Sequence, residues 1–135
     1  MFLRAACLFV AVALVSSEEP VEDPKRVILS AFLTGVGRPL MVQCVAKGQN
    51  SKIQFVRDLK LYSSDLSDEP IFTELRPSED YEMETEASMA ERSVRLTWKS
   101  PSDGGCRIYK CVASGECPSG QPVQVYSTLK MAIGC

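Results

Sequence analysis

The sequence predicts an all-β fold, an antiparallel β-sandwich of seven or eight strands, and three observations carry that prediction. Apolar and polar residues alternate with period two in stretch after stretch. Clusters of Pro, Gly, Asp and Ser separate those stretches at short, regular intervals. Cysteines recur in a chain whose start has the layout of an export signal. Period two places one apolar face against a core and one polar face against water, which is the signature of half-buried antiparallel strands. Repeated every ten residues or so, it reads as a sandwich.

Arg4 supplies a positive charge, and Ala5 to Val15 is an eleven-residue apolar run. Ser16 and Ser17 follow, then acidic residues, so residues 1–17 read as a secretory signal peptide cleaved after Ser17. The run is too short for a bilayer, which needs about 20 apolar residues. Residues 18–25, with two prolines and four acids, read as an acidic flexible leader. Residues 26–135 then form a single domain, expected to be secreted and extracellular, without membrane insertion. Losing Arg4 takes the formal charge from −2 to −3. A slightly acidic chain of mixed sign is poorly suited to nucleic acid or an anionic membrane surface.

Within the domain, Leu40, Val42, Cys44 and Ala46 alternate with Met41, Gln43, Val45 and Lys47. Ile53, Phe55, Leu59 and Leu61 share a parity broken only by Arg57. Val94, Leu96 and Trp98 alternate with polar neighbours, and Val123, Val125, Leu129 and Met131 line one side of a last strand. The expected core is therefore Leu40, Val42, Phe55, Leu96, Trp98 and Tyr109. Turn signals fall at 47–51, 63–70, 76–80, 100–105 and 114–122. Residues 82–92 are rich in helix formers but lack a 3.6-residue stripe, so they read as an exposed strand plus loop, with a short helical turn as the alternative.

Tyr109-x-Cys111, preceded by Leu96 and Trp98 and by a distant cysteine of inward parity at 44, resembles the immunoglobulin superfamily over about residues 26–133. The resemblance implies an immunoglobulin-like antiparallel β-sandwich. It implies also a disulfide between strands B and F, Cys44–Cys111, and a tyrosine corner at Tyr109. Two departures stand out. Phe55 occupies the usual place of a strand C tryptophan, and the usual Asp before Tyr-x-Cys is missing, with Asp103 and Gly104 lying early. A narrower set, Leu96–Trp98 (LTW), Tyr109–Cys111 (YKC) and Gly120–Val123 (GQPV), is similar to the N-terminal immunoglobulin domains of gastropod fibrinogen-related and lectin-related defence proteins. The carbohydrate-binding module of that family has no counterpart in this sequence, so its lectin activity does not transfer.

Three cysteines of the domain remain. A hairpin centred near Cys117 sets residue 106 opposite about 128, roughly 20 Å or more from the loop tip at ~3.3 Å per residue. A bridge needs Cα atoms within about 7 Å. Cys106–Cys117 is therefore disfavoured unless the loop folds back, and Cys106–Cys135 is the preferred second bridge. Cys117 is left as a free or capped thiol, or as an interchain link in a disulfide-linked homodimer.

No histidine occurs, which removes Ser-His-Asp and Cys-His nucleophilic systems and the usual zinc partners. No phosphate loop or cofactor motif is present. Glu79, Asp80, Glu82, Glu84 and Glu86 lack the ligand order of a calcium loop and read as a solvated face. No catalytic residue, metal or cofactor is expected. Binding is expected from loops at one end of the sandwich, with Lys47, Gln49 and Asn50 in the B–C loop and Ser114, Glu116, Pro118 and Ser119 in the F–G loop. An exposed edge strand is the other candidate surface. The expected function is a secreted recognition or adhesion module in invertebrate innate immunity, with an extracellular protein or glycan as ligand. The alternatives are a disulfide-linked extracellular structural subunit, or a truncated form of a larger immunoglobulin-plus-lectin protein.

Overall fold

Alternation along the chain becomes alternation of burial. The computed structural model describes residues 20–33, 39–48, 55–88, 90–133 and 135. In β3 (Leu40–Lys47), Leu40, Val42, Cys44 and Ala46 are buried while Met41, Gln43 and Val45 are half-buried on the other face. In β7 (Glu91–Trp98), Val94, Leu96 and Trp98 are buried. The two strands pair antiparallel with inward residues opposite one another, Leu40 to Trp98, Val42 to Leu96 and Cys44 to Val94. With β2 (Val27–Leu33) and β6 (Tyr81–Ala87) at the edges they make a four-stranded sheet, order β2-β3-β7-β6. The facing sheet has five strands: β1 (Val21–Glu22), β4 (Phe55–Asp65), β5 (Thr73–Glu74), β8 (Cys106–Glu116) and β9 (Pro122–Ala132), in the order β1-β9-β8-β4-β5. Seven of these strands have seven residues or more and two have only two. Every pairing is antiparallel except β1 with β9.

The core lies between the sheets. Leu40, Val42, Leu96, Trp98 and Tyr109 are all buried there, with Val27, Leu61, Ala113 and Val125. Each large apolar side chain removed from water contributes about 1.5–3 kcal/mol. The Phe55 side chain lies outside the described residues. The inward place at the start of β4 belongs to Val56, which is 3% exposed. A register shift between Val56 and Asp58 explains this. Arg57, the residue that breaks the sequence parity, is the extra residue of a bulge, and beyond it Leu61 and Ser63 resume the inward row.

Residues 82–87 pair with 92–97 in the hairpin of β6 and β7, with Glu82, Glu84 and Glu86 directed to solvent. Helix occurs instead at α1 (Pro101–Gly104), one turn started by a proline where the sequence reads as a simple turn. This turn anchors the tyrosine corner. Tyr109 is fully buried and its hydroxyl donates to the Gly104 carbonyl at 2.6 Å. A methyl group on Gly104 would stand 2.7 Å from Trp98 Cε2 and overlap other indole atoms, so only glycine fits. Tyr81 meets the same indole edge-on at 4.8 Å, and Arg107 lies over it at 4.9 Å.

Two disulfides join described residues. Cys44–Cys111 ties the sheets through the core across 67 positions, a loop closure of about 4 kcal/mol by the chain-entropy account. Cys106–Cys135 ties the end of the chain to the start of β8. The β8–β9 hairpin sets Cys106 opposite Ala132, four residues beyond the expected partner near 128, which brings Cys135 within reach. Cys117, expected as a free or capped thiol or an interchain link on the F–G loop, is 1% exposed, so its side chain faces the interior rather than solvent. Parity is the reason. Tyr109, Cys111, Ala113 and Gly115 all point inward from β8, and Cys117 continues that row. The turn itself is short. Gly120 N–H donates to the Cys117 carbonyl, with Pro118 at the second position and Gly120 at φ 88°, a conformation that favours glycine.

Of the stretch expected to be a flexible leader, residues 20–25 are among those described. Val21 and Glu22 pair parallel with Val125 and Tyr126. Asp23 is buried, its N–H donating to the Tyr126 carbonyl at 2.7 Å while its carboxylate accepts from the N–H groups of Lys25 and Arg26. That local turn lets the chain cross from one sheet to the other. No helix among the described residues is long and apolar enough to cross a membrane.

Candidate functional site

The strand ends expected to carry binding loops lie together. Arg92, which pairs with Ala46, donates through Nε to the Val56 carbonyl at 2.9 Å, and Phe55 pairs with Glu116. Lys47 is the last residue of β3, while Gln49 and Asn50 lie outside the described residues. Ser114 and Glu116 sit on β8 rather than in a loop, because the tight turn begins only at Cys117. Ser114 accepts from the Gln124 amide at 3.1 Å, and Glu116 is ion-paired to Arg57 at 3.2 Å. Only Pro118 and Ser119 project from the turn, with the Ser119 hydroxyl 3.0 Å from Cys117 Sγ. Among the described residues of this end, Ser114 and Glu116 already have polar partners.

The outer face of the five-stranded sheet differs. Tyr109 and Cys111 point inward, so Lys110 and Val112 point out; Leu61 and Ser63 are buried, so Tyr62 points out; Val125 and Ser127 are buried, so Gln124 and Tyr126 point out. Register brings Tyr62 beside Lys110 and Val112 beside Tyr126. The connection between β4 and β5 adds Phe72, and the segment before β1 adds Pro20. Together Pro20, Tyr62, Phe72, Lys110, Val112 and Gln124 line a shallow hollow of ≈ 230 Å³.

Lys110 Nζ lies 4.7 Å from the centre of the Tyr126 ring and 5.4 Å from that of Phe72. Cation–π contacts of this kind contribute about 0.5–2 kcal/mol and hold the ammonium in place. Lys110 is the half-buried lysine among the described residues and has no carboxylate partner among them. The described ion pairs, such as Arg57–Glu116, Lys60–Asp58 and Arg76–Glu74, sit on exposed side chains and contribute little. The tyrosines divide in the same way. Buried Tyr109 and Tyr81 have their hydroxyls bonded to the Gly104 and Arg76 carbonyls. The hydroxyls of Tyr62 and Tyr126 make no hydrogen bond to another described residue. Burial pushes the Tyr109 hydroxyl up to about 12, against smaller lowering effects of Trp98 and Arg107. Burial raises Tyr81 as well, opposed by the hydrogen bond to Arg76.

Tyr62, Phe72, Lys110 and Tyr126 were absent from the expected site. A signal existed for three of them, since Tyr62, Lys110 and Tyr126 sit at solvent parity where aromatic residues gain nothing from the core. Phe72 lies outside a long strand, and only the fold brings it to Lys110. Neither a family model nor a curated protein matches the chain.

Proposed function

We propose that the chain is a secreted, immunoglobulin-like recognition module that performs no catalysis and binds an extracellular ligand through the outer face of its five-stranded sheet. The inter-sheet Cys44–Cys111 bridge and the Tyr109–Gly104 corner support the immunoglobulin-like reading. The likeness of the LTW, YKC and GQPV segments to gastropod defence domains supports a role in innate immune recognition. One observation carries the choice of surface: Lys110 is held half-buried between two aromatic rings, beside a hollow, with no carboxylate partner among the described residues. Burying part of a cation without an ionic partner costs stability. A ligand recovers that cost.

The test is binding of the purified protein to arrays of extracellular proteins and glycans, with wild type beside a Lys110→Ala, Tyr126→Ala double variant. The expected result is at least one ligand whose signal falls tenfold or more in the variant while thermal stability is retained. Binding that the double substitution leaves intact would move the contact surface elsewhere.

A second reading, a self-assembling structural subunit, is favoured by β2. This edge strand carries no charge, exposes Ile28 and Phe32 at 41% and 47%, and sets them beside half-buried Val45 and Met41. The opposite edge, β6, is protected by three glutamates. Antiparallel pairing of two copies about Ser30 would place Ile28 against Phe32 of the second copy. Sedimentation velocity decides: Phe32→Lys shifts a dimer to monomer if the reading holds, and a wild-type monomer at high concentration ends it.

A further inference from the structure

We infer that the Lys110 hollow binds a saccharide bearing a single carboxylate, of the uronic or ulosonic acid type. This rests on the recognition reading above and adds the class of ligand. The hollow, at ≈ 230 Å³, is below the range of about 300–1,000 Å³ typical of drug-sized pockets and suits one sugar ring with its exocyclic group. Its walls are of two kinds. Tyr62, Phe72 and Val112 offer apolar area on which the C–H face of a pyranose can lie. Lys110 Nζ offers charged donors. The Tyr62 hydroxyl is an uncommitted donor at the same place. Gln124 gives its amide N–H to Ser114, which leaves its carbonyl oxygen as an acceptor for a sugar hydroxyl.

Charge narrows the class. One half-buried cation without an ionic partner among the described residues matches one carboxylate. Around it the same face is of mixed sign: register places Glu74 beside Tyr62, Glu22 beside Tyr126, Lys60 beside Val112 and Lys130 beside Ile108. Glu74 is balanced by Arg76 at 3.1 Å. Polysulfated chains and acidic peptides draw on several cations in a row, whereas Lys60 and Lys130 are exposed, Lys60 is paired with Asp58, and only Lys110 reaches into the hollow. A neutral sugar would leave the ammonium without a counter-charge. A singly charged sugar satisfies both the apolar walls and the cation.

The test is a chemical-shift titration of the full, disulfide-bonded, ¹⁵N-labelled protein with methyl glucuronide, methyl glucoside, acetate and heparin as separate probes. The expected result is saturable binding of the glucuronide with a Kd of about 1–10 mM, ordinary for one ring on a shallow site. Its shifts should fall on the amides of Tyr62, Lys110, Val112 and Gln124. The glucoside should bind at least tenfold more weakly, and acetate should fail to reproduce the shifts at equal concentration. Lys110→Met, which keeps the aliphatic stem, should erase the preference for glucuronide over glucoside. Equal affinity for the two glycosides, equal effect of acetate, tighter binding of heparin than its anionic charge density alone explains, or shifts clustered elsewhere would each overturn the inference. The wild-type comparison needs no variant, so a poorly folded Lys110→Met protein does not rescue the idea. The array experiment separates the two levels. A Lys110-dependent protein or neutral glycan ligand would keep the recognition reading and remove this one, whereas no dependence on the face would remove both.

Discussion

Replacing Tyr109 by Phe removes one oxygen atom from the centre of the molecule. That oxygen donates to the Gly104 carbonyl at 2.6 Å, and both residues are buried. A typical hydrogen bond contributes about 1 kcal/mol net, but a buried acceptor left without a donor costs about 1–3 kcal/mol. The Gly104 carbonyl is such an acceptor. It ends a four-residue helical turn packed on Trp98, where added volume is excluded. We expect a loss of about 2 kcal/mol. With a urea m-value of ~1–3 kcal/mol/M, the unfolding midpoint should drop by roughly 1 M, without a change in slope. The assay is equilibrium denaturation with disulfides intact, followed by Trp98 fluorescence. Tyr62→Phe is the matched control: the same atom is removed from a hydroxyl with no described protein partner, and the change should stay within about 0.5 kcal/mol. If Tyr109→Phe and Tyr62→Phe shift the midpoint equally, the corner does not hold the turn and the reasoning fails.

Alkaline titration tests the same group differently. Tyr109 is raised from 10.0 to about 12 in the folded protein, so its contribution is whole below pH ~10 and is lost as the pH rises toward ~12. Wild-type stability should fall by up to about 3 kcal/mol over that window, and Tyr109→Phe should flatten the fall, as read by short-exposure denaturation at each pH. Gly104→Ala forces a methyl into the Trp98 ring and should cost about 1–3 kcal/mol; an unchanged melting temperature would mean that the turn has room. Cys44→Ala with Cys111→Ala opens the long loop and should cost about 2–5 kcal/mol or prevent folding, whereas opening the shorter Cys106–Cys135 loop should cost less. Equal losses would show that the inter-sheet tie has no special weight.

Strand identity was legible in the chain because burial in a sandwich has the same period as the pleat. Leu40, Val42, Cys44 and Ala46, and Val94, Leu96 and Trp98, point inward as their spacing demands. The Cys44–Cys111 pair, which the immunoglobulin resemblance implies, is present, and both cysteines share that inward phase. Phase errors account for what was misread. The bulge at Arg57 changes the count, so Val56 also points inward, at a parity opposite to that of Leu59 and Leu61. The tight turn at Cys117–Gly120 lengthens β8, which turns Ser114 and Glu116 into strand residues and Cys117 into a buried one. For Cys117 the signal was present, since it continues the odd-numbered row from Tyr109.

By itself the sequence determined which residues of the long strands face inward, because period-two patterning is a local property that hydrophobic burial reads directly. The candidate site needed the tertiary structure. Lys110, Tyr126, Tyr62 and Phe72 come from separate segments, and only strand order and register bring them to one face. The same holds for β1, whose two residues carry no strand pattern of their own and pair with β9 only in the folded sheet. Residues that face solvent are under no burial constraint, so neighbours across a sheet leave no shared pattern along the chain. Their meeting is decided by geometry alone.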